Sequence, residues 1–262
     1  MTIQRSVVAV PARLQSSRLP NKVLADIGGK SMIQRVLERC REASSVDAVV
    51  LCTDSAELQE LAEGWGFRVL LTSPDCSSGS ERIASVADDL MALAWAGATP
   101  VAEQTAVINV QGDQPFIDPA VIEAMVAEFR RRDPVPAVVT PVYGLKPDTV
   151  HNPNVVKTLL AHDGRALYFS RSAIPHVRDV DPADWHQHTT YWGHVGMYGF
   201  RGDVLAAWDQ LPASPLEDLE RLEQLRLIEA GHTIATFAVP GTSLSVDTAE
   251  QLEQARQMAA SA

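Results

Sequence analysis

The sequence predicts an α/β protein, with a mixed but mostly parallel sheet that helices cover on both faces. Short apolar runs rich in Val, Ile and Leu alternate with segments that carry apolar residues at helical spacing. Parallel strands are joined by long crossovers, usually helices, so this alternation is typical of βαβ units. The chain has 262 residues, 46% of them hydrophobic, which is enough to bury a full core.

The first half of the chain follows this alternation without interruption. We predict strands at SVVAVPA, DAVVLCTD, RVLLTS and TAVINVQGD. We predict helices at MIQRVLERCREA, SAELQELAEGWG, SERIASVADDLMALAWAG and DPAVIEAMVAEFRRRD. Ser55 suits the N-cap of the second helix, and Pro119 suits the first turn of the fourth.

The pattern changes after about residue 134. AVVTPVYGL, NVVKTLLA and HVGMYGFR predict strands, and PLEDLERLEQLRLIEAG predicts one periodic helix. The apolar stripe of that helix predicts core or a subunit interface; it consists of Leu219, Leu222, Leu225 and Ile228. Because we find neither a Pro/Gly/Ser-rich linker nor a repeat, we predict a single domain over residues 1–262, whose second half adds strands and a lobe.

Composition excludes several classes of function. The formal net charge of -11 argues against a nucleic-acid or membrane-surface binder, because both partners attract basic faces. Cys40, Cys52 and Cys76 are widely spaced and form no CxxC pair, so reduced thiols are expected. No apolar run reaches roughly 18 residues, and we expect a cytoplasmic protein.

A basic loop follows the first predicted strand. In open α/β sheets ligands bind beyond the carboxyl ends of the strands, and the stretch VAVPARLQSSRLPNK places Arg13, Arg18 and Lys22 there. Arginine forks and a lysine charge suit a triphosphate, although a solvated basic loop is the alternative. The nearby GGKS is not a P-loop, because Leu24 replaces the first glycine, and no GxGxxG is present.

Two aspartates are candidate metal ligands. The apolar strand in VINVQGDQP ends in Gln111, Gly112 and Asp113, where a carboxylate is well placed to bind Mg²⁺ that carries a nucleotide. A strand-ending turn residue is the alternative. Taken alone, Asp247, in SLSVDTAEQL, is more typical of an N-cap-like turn before a helix than of a metal ligand. Two carboxylates together can hold one or two magnesium ions.

The histidines allow more than one interpretation. His194 lies in a strand-like run, where a core histidine and a functional one are both plausible. His186 and His188 lack an evident third ligand and are interpreted as loop residues. A zinc-dependent hydrolase built on this pair is the alternative, and tightly bound zinc would reveal it. Ser80 and Ser170 lie outside any GxSxG motif.

Several sequence blocks taken together resemble the CMP-KDO synthetases, the 3-deoxy-manno-octulosonate cytidylyltransferases. The blocks are PARLQSSRLPNK, SGSER, VINVQGDQP, NPNVVK, YFSRSAIP, HVGMYGF, SPLEDLERLEQLR and VDTAEQL. They occur in the family's order, and the match as a whole runs from about Val7 to Arg256. The resemblance implies a nucleotidyltransferase fold with an inserted dimerisation lobe, a homodimer, and a Mg²⁺-dependent reaction that couples CTP to an acid sugar (KDO) and releases pyrophosphate.

The resemblance also implies roles for individual residues. It implies a CTP-binding half over residues 1–133, with nucleotide contacts from Arg13, Ser17, Arg18, Lys22, Arg82 and Gln111. It assigns catalytic roles to Arg13, Lys22 and Asp113, and makes Asp113 and Asp247 the magnesium ligands. Residues 134–256 are implied to bind the acceptor and to form the dimer. The implied acceptor contacts are Arg171, Arg178, His194, Tyr198, Glu223 and Gln224, together with Gln111 of the first half.

Three departures from the family pattern concern the acceptor. Gly193 stands where relatives usually carry a basic residue, DCS precedes SGSER, and the link PGTSLSVDT is about two residues longer than usual. They leave open a cytidylyltransferase for another acid, such as 8-amino-KDO, a sialic-type sugar or a phosphonate. A nucleotide-sensing homologue without turnover is a further alternative, which CTP binding without pyrophosphate release would favour.

Overall fold

The computed structural model describes residues 2–15 and 19–261. Its strands are β1 (Arg5–Ala12), β2 (Asp26–Ile27), β3 (Lys30–Ser31), β4 (Ala48–Thr53), β5 (Arg68–Leu71), β6 (Thr105–Asn109), β7 (Val138–Gly144), β8 (Lys157–Leu160), β9 (Ala166–Ser170), β10 (Trp192–His194), β11 (Tyr198–Arg201) and β12 (Ile234–Ala238). Its helices are α1 (Met32–Arg41), α2 (Ala56–Gly64), α3 (Gly79–Ala84), α4 (Ala87–Ala94), α5 (Pro119–Arg131), α6 (Gly202–Ala206), α7 (Pro215–Glu220), α8 (Gln224–Glu229) and α9 (Ala249–Ala260). None of the helices formed by these residues is long and apolar enough to cross a lipid bilayer.

The chain divides into two compact units. Unit 1 comprises Met1–Val135, Gly199–Asp209 and Ser243–Ala262, and unit 2 comprises Pro136–Tyr198 and Gln210–Thr242.

Unit 1 is built on a parallel sheet with the strand order β5-β4-β1-β6, followed by β11. β1 pairs with β4 and β6, and β4 pairs with β5, all in parallel. The sequence explains the central position of β6: all five residues of TAVIN are buried, as expected for a strand covered on both faces. Parallel pairing aligns the carboxyl ends of β1 and β6, which positions the loops that follow them.

Unit 2 contains a mixed sheet in which β10 pairs antiparallel with β7 and β8, and β8 pairs antiparallel with β9. β12 adds to β7 in parallel. Its helices are short, in agreement with the predicted scarcity of helix in this part of the chain. The strands β9 and β12 were not among the predicted elements. Leu167 on β9 is 46% exposed, so a simple apolar run does not mark that strand.

Two predicted helices are each divided in two. SERIASVADDLMALAWAG forms α3 and α4, because Val86 leaves the helical region with φ -126°. PLEDLERLEQLRLIEAG forms α7 and α8, because Arg221 adopts a left-handed conformation with φ 54°. The predicted apolar stripe is therefore not one face: Leu219 is 80% exposed, whereas Leu225 is fully buried.

The predicted strand HVGMYGFR is also divided. β10 ends at His194 and β11 begins at Tyr198. Between them the backbone turns, since the Met197 amide donates to the Val195 carbonyl at 2.7 Å. His194 and Tyr198 therefore lie at the ends of two different strands.

Candidate active site

A cavity of about 330 Å³ opens in unit 1. It lies beyond the carboxyl ends of β1 and β6, where ligands of α/β sheets bind. The lining residues come from the end of β1, the loops after β1 and β6, the start of α3 with the loop before it, and the segment before α9. They are Pro11, Ala12, Arg13, Gln15, Lys22, Val23, Cys76, Ser77, Ser78, Gly79, Arg82, Gln111, Gly112, Asp113 and Asp247. We call this space the unit 1 cavity.

Lys22 joins the two predicted metal ligands. Its Nζ donates to Asp113 Oδ2 at 2.9 Å and to Asp247 Oδ1 at 2.8 Å. Burial by itself would lower the pKa of Lys22, but the two carboxylates outweigh burial, and the pKa is raised above its usual value. The ammonium is therefore fully charged at neutral pH. A cation and two carboxylates separated by 91 and 225 positions in the chain meet at one point.

The backbone holds the two aspartates side by side. The Val246 amide donates to the Asp113 carbonyl at 2.9 Å. Immediately after Asp247, a capping box starts α9: Thr248 accepts from the Gln251 amide, and Gln251 Oε1 accepts from the amides of Thr248 and Asp247. The N-cap of α9 is thus Thr248, and the Asp247 side chain is directed to Lys22 instead of capping the helix.

Gly112 is required for space. A Cβ built on it would lie 3.1 Å from the Pro11 carbonyl oxygen and 3.2 Å from Ile33 Cδ1. The absence of a side chain lets the loop after β6 pass close to the end of β1. Beside it, Gln111 Nε2 donates to Asn109 Oδ1 at 3.2 Å. Gln111 and Asp113 are therefore brought to the same cavity as the basic loop.

The predicted nucleotide contacts differ in how they are held. Arg82 is almost fully buried, and it donates to Thr72 and, at 3.3 Å, to Asp54 Oδ2. Arg13 is exposed at the end of β1 and lines the cavity. Ser17 and Arg18 lie outside the described residues.

The residues of the unit 1 cavity fit a magnesium ion that arrives with a nucleotide. Mg²⁺ is commonly bound by one or two carboxylates together with substrate phosphates and water. Asp113 and Asp247 already converge on one cationic atom, the Lys22 Nζ. Among the described residues no group of three or more His, Cys, Asp or Glu could hold a metal, so phosphate oxygens would have to complete the coordination of an ion here.

A second cavity, of about 300 Å³, lies in unit 2. It is lined by Tyr143, Asn154, Val155, Val156, His194, Gly196, Tyr198, Arg221, Leu222, Glu223 and Gln224. We call it the unit 2 cavity. Four of the predicted acceptor residues line it, namely His194, Tyr198, Glu223 and Gln224.

Three of these four, Tyr198, Gln224 and His194, make side-chain hydrogen bonds at the wall of the cavity. Tyr198 Oη donates to Gln224 Oε1 at 2.8 Å, and the buried Gln224 Nε2 has no partner among the described residues. His194 Nε2 pairs with Thr140 Oγ1 at 2.9 Å. Although part of His194 remains accessible along the cavity, burial of the ring lowers its pKa to about 3. Burial and, to a lesser extent, Glu223 raise the pKa of Tyr198. Both rings are thus neutral at pH 7.

Arg171 and Arg178 do not line the unit 2 cavity. Arg171 Nε donates to the Glu220 carbonyl at 2.8 Å, and its other nitrogens donate to the carbonyls of Pro153 and Arg221. The side chain of Arg178 is 89% exposed and pairs only with Asp179 in the described structure, at 3.4 Å. His186 and His188 are exposed, but only His188 is a loop residue as predicted, because His186 lies in a 3-10 helix over Pro182–Gln187.

Sequence reasoning missed three residues that shape the cavities. Tyr143 lines the unit 2 cavity from β7, and Asp54 anchors Arg82 from the end of β4. Lys157 is completely buried, and its Nζ donates to the carbonyls of Asn152, Val155 and Arg171. Asp54 directly follows the apolar run VVLCT, and Lys157 ends NPNVVK, so a charged residue at the end of an apolar run could have indicated both. No local sequence pattern distinguished Tyr143.

The comparisons with known proteins decide the family. A model of the family described as Cytidylyltransferase matches residues 7–234. The chain belongs to this cytidylyltransferase family. It is 40% identical to a 3-deoxy-manno-octulosonate cytidylyltransferase of Chlorobaculum tepidum over 97% of this chain and 96% of the relative. It is 39% identical to the enzyme of the same description from Myxococcus xanthus, over 95% of this chain and 94% of the relative.

A solved structure supports the same family. The structure of CMP:2-keto-3-deoxy-manno-octonic acid synthetase complexed with CTP matches with a TM-score of 0.88 and 36% identity, and covers 98% of this chain and 99% of that one. The predicted resemblance and the predicted nucleotidyltransferase fold are thereby confirmed. This cytidylyltransferase is an enzyme of the nucleotidyltransferase class, whereas the roles of its single residues remain predictions.

Proposed function

We propose that this cytidylyltransferase couples CTP to 3-deoxy-D-manno-octulosonate and yields CMP-KDO and pyrophosphate. The proposal is based on two cavities in one chain. In the unit 1 cavity a lysine lies between two aspartates, and the wall of the unit 2 cavity carries neutral hydrogen-bonding side chains. The names of the relatives, and the CTP bound in the similar structure, support the same substrates.

The unit 1 cavity suits the triphosphate. Arg13 supplies an exposed guanidinium, Lys22 a compact charge, and Arg82 a guanidinium held in place by Asp54. Asp113 and Asp247 would hold Mg²⁺, which supplies positive charge to the phosphates as pyrophosphate departs. Lys22 would then be available to the phosphate oxygens, because the two carboxylates that it now pairs with would serve the metal ion.

The unit 2 cavity suits a hydroxylated acid. The free Gln224 Nε2 can donate to a hydroxyl, and neutral His194 and Tyr198 offer further hydrogen bonds. The acceptor's carboxylate needs a cation, and Arg221 is the one Lys or Arg side chain among the described residues that line this cavity. We therefore assign to Arg221 the role that the resemblance implied for Arg171 and Arg178.

No protein nucleophile is needed for this reaction. The anomeric hydroxyl of the acceptor attacks the α-phosphorus of CTP while pyrophosphate leaves, and the enzyme positions both substrates and offsets negative charge. Arg13, Lys22 and Asp113 are the residues of this chain that act on the reacting phosphates in this proposal.

The test is pyrophosphate release from CTP and Mg²⁺ with a panel of acceptors: KDO, 8-amino-KDO, sialic acid and small phosphonates. Release with KDO is expected, and it should disappear when EDTA removes the metal. If pyrophosphate is released with another acid but not with KDO, that acid is the acceptor. If CTP binds but no acid causes pyrophosphate release, a nucleotide sensor is favoured. Arg221→Gln should raise the KM for the acid about tenfold or more, as expected for a lost charged hydrogen bond.

We also propose that the enzyme acts as a homodimer. The exposed leucines Leu167 and Leu219 of unit 2 support this proposal, because large apolar side chains at 46% and 80% exposure are suited to an interface. Light scattering of the eluted protein should give twice the mass of 28.4 kDa, and a monomer would contradict it.

A further inference from the structure

Gly193 has no room for a side chain. An ideal Cβ on Gly193 would lie 2.5 Å from Leu145 Cδ2, 2.6 Å from Tyr143 Cζ and 2.7 Å from Tyr143 Cε1. Its φ is not in the left-handed region, so the backbone conformation does not require glycine here. The requirement is steric, because the Leu145 side chain and the phenol end of the Tyr143 ring together occupy the space.

Strand pairing explains this contact. Gly193 on β10 lies directly opposite Tyr143 on β7. Side chains at opposite positions of an antiparallel pair share one face of the sheet. The ring can lie where it does only because its partner is glycine, since a Cβ on residue 193 would overlap the ring atoms.

The same ring lines the unit 2 cavity, together with His194 and Tyr198. Tyr143 is half-buried, and burial raises the pKa of its phenol, so the hydroxyl is protonated at neutral pH. Tyr143 thus brings an aromatic ring and a hydroxyl that can donate or accept to the lining of the cavity, and the missing side chain at Gly193 leaves room for the ring.

We propose that Tyr143, seated on Gly193, is a specificity-determining residue for the acid acceptor. This inference rests on the proposed function. The aromatic face packs against the carbon skeleton of a hydroxylated acid, and the phenol hydrogen-bonds to one of its hydroxyl groups. The pair forms a neutral wall of the cavity, and Gly193 contributes by leaving the space that the ring fills.

The experiment measures the KM for the acceptor, the KM for CTP and kcat in the full chain, with pyrophosphate release as the signal. Tyr143→Phe removes one oxygen and should raise the KM for the acceptor about three- to tenfold. Tyr143→Ala should raise it by more than tenfold. In both variants the KM for CTP should stay within twofold of the original value, because every lining residue of the unit 1 cavity belongs to unit 1.

Tyr168→Phe is the matched control. Like Tyr143→Phe, it removes one phenol oxygen from a partly buried tyrosine of unit 2. Tyr168, however, lies on β9 and does not line the unit 2 cavity. Its acceptor KM should not change. Thermal unfolding of each variant separates lost binding from lost folding, and Tyr143→Phe keeps the test valid if larger changes unfold the chain.

A double-mutant cycle tests the steric part. Gly193→Ala alone forces the Tyr143 ring to move and should raise the acceptor KM about tenfold. The same change in the Tyr143→Ala background should raise the acceptor KM by a smaller factor, because the ring is absent and only the contact with Leu145 remains.

The outcomes distinguish the inference from the function on which it rests. Turnover by the unmodified enzyme, with the same acceptor KM in Tyr143→Phe and Tyr143→Ala, would overturn the inference alone. If Gly193→Ala raises the acceptor KM by the same factor in both backgrounds, the proposed dependence of the Tyr143 ring on Gly193 is overturned. If the unmodified enzyme releases no pyrophosphate with any acid on the panel, both the proposed function and the inference are overturned.

Discussion

Lys22 is the positive charge that balances the two aspartates of the unit 1 cavity. It neutralises two aspartates that would otherwise repel each other, and its pKa rises because their attraction exceeds the cost of burial. A metal ion held by these aspartates, as proposed, would compete with Lys22 for the same carboxylate oxygens. Metal binding should therefore be weak until nucleotide phosphates give Lys22 another anionic partner.

Asp113→Asn should lower kcat by at least about two orders of magnitude, as for the loss of one strong electrostatic stabiliser. The amide keeps the shape of the side chain but loses its charge toward Mg²⁺ and Lys22. Steady-state turnover at saturating Mg²⁺ measures the effect. Asp89→Asn, an identical change at an exposed helix position, is the control, and full turnover by Asp113→Asn would refute the role.

His194 makes the stability of the fold depend on pH. Its pKa falls to about 3 because burial disfavours the imidazolium, whereas in the unfolded chain it returns to about 6.5. The unfolded state therefore binds the proton first, and stability is lost as the pH falls from about 6.5 toward 3. The slope contributed by this residue is about 1.4 kcal/mol per pH unit.

Urea unfolding at pH 7, 6 and 5 measures this slope. His194→Gln should show a shallower loss of stability on acidification than the original protein. His188→Gln, at an exposed loop position, should retain the full slope. Parallel pH profiles for all three proteins would show that His194 titrates normally.

Elements position these residues, and the start of α9 is the clearest case. The capping box of Thr248 and Gln251 holds the amide of Asp247, so one turn of helix determines where a candidate metal ligand lies. The apolar side of α9 reinforces this position, because Leu252 and Ala255 pack with Ile27, Met32 and Val246.

Thr248→Ala should lower the free energy of unfolding by about 1 kcal/mol, as for other lost N-caps. It should also raise the Mg²⁺ concentration needed for half-maximal activity, because Asp247 is less well fixed. Ser55→Ala removes an equivalent N-cap, that of α2, at a position that does not line the unit 1 cavity. It should show the same loss of stability with an unchanged Mg²⁺ requirement, and identical metal titrations of both variants would contradict the coupling.

The breaks in elements explain where sequence reasoning failed. Periodicity predicted α1, α2 and α5 because each has a side-chain N-cap followed by one continuous amphipathic segment. The division between α7 and α8 has no Gly or Pro signal. It depends on Arg221 in the left-handed region, a conformation stabilised by contacts such as the Arg171 hydrogen bond to its carbonyl. Tertiary contacts of this kind are absent from local patterns.

At the scale of the whole molecule, the sequence was most informative where function lies at strand ends. The loops after β1 and β6 could be expected to meet, because parallel strands end at one edge, and Arg13, Lys22, Gln111 and Asp113 do meet there. The unit 2 cavity could not be assembled in this way, since its mixed sheet depends on pairings such as Tyr143 with Gly193 that no periodicity reveals.

The assignment of one cavity to each unit predicts that nucleotide and acceptor binding can be separated by mutation. All residues that line the unit 1 cavity belong to unit 1, and all that line the unit 2 cavity belong to unit 2. Gln224→Ala should therefore raise the acceptor KM about tenfold, because a buried donor without another partner is lost. Its calorimetric Kd for CTP should be unchanged.

Arg13→Ala should show the reverse pattern, with weaker CTP binding and a normal unfolding temperature, because its side chain is exposed. The comparison is decisive when both variants are measured with both ligands. A loss of CTP affinity greater than tenfold in Gln224→Ala would mean that the acceptor residues also determine nucleotide binding, and each cavity could then no longer be treated as a separate binding site.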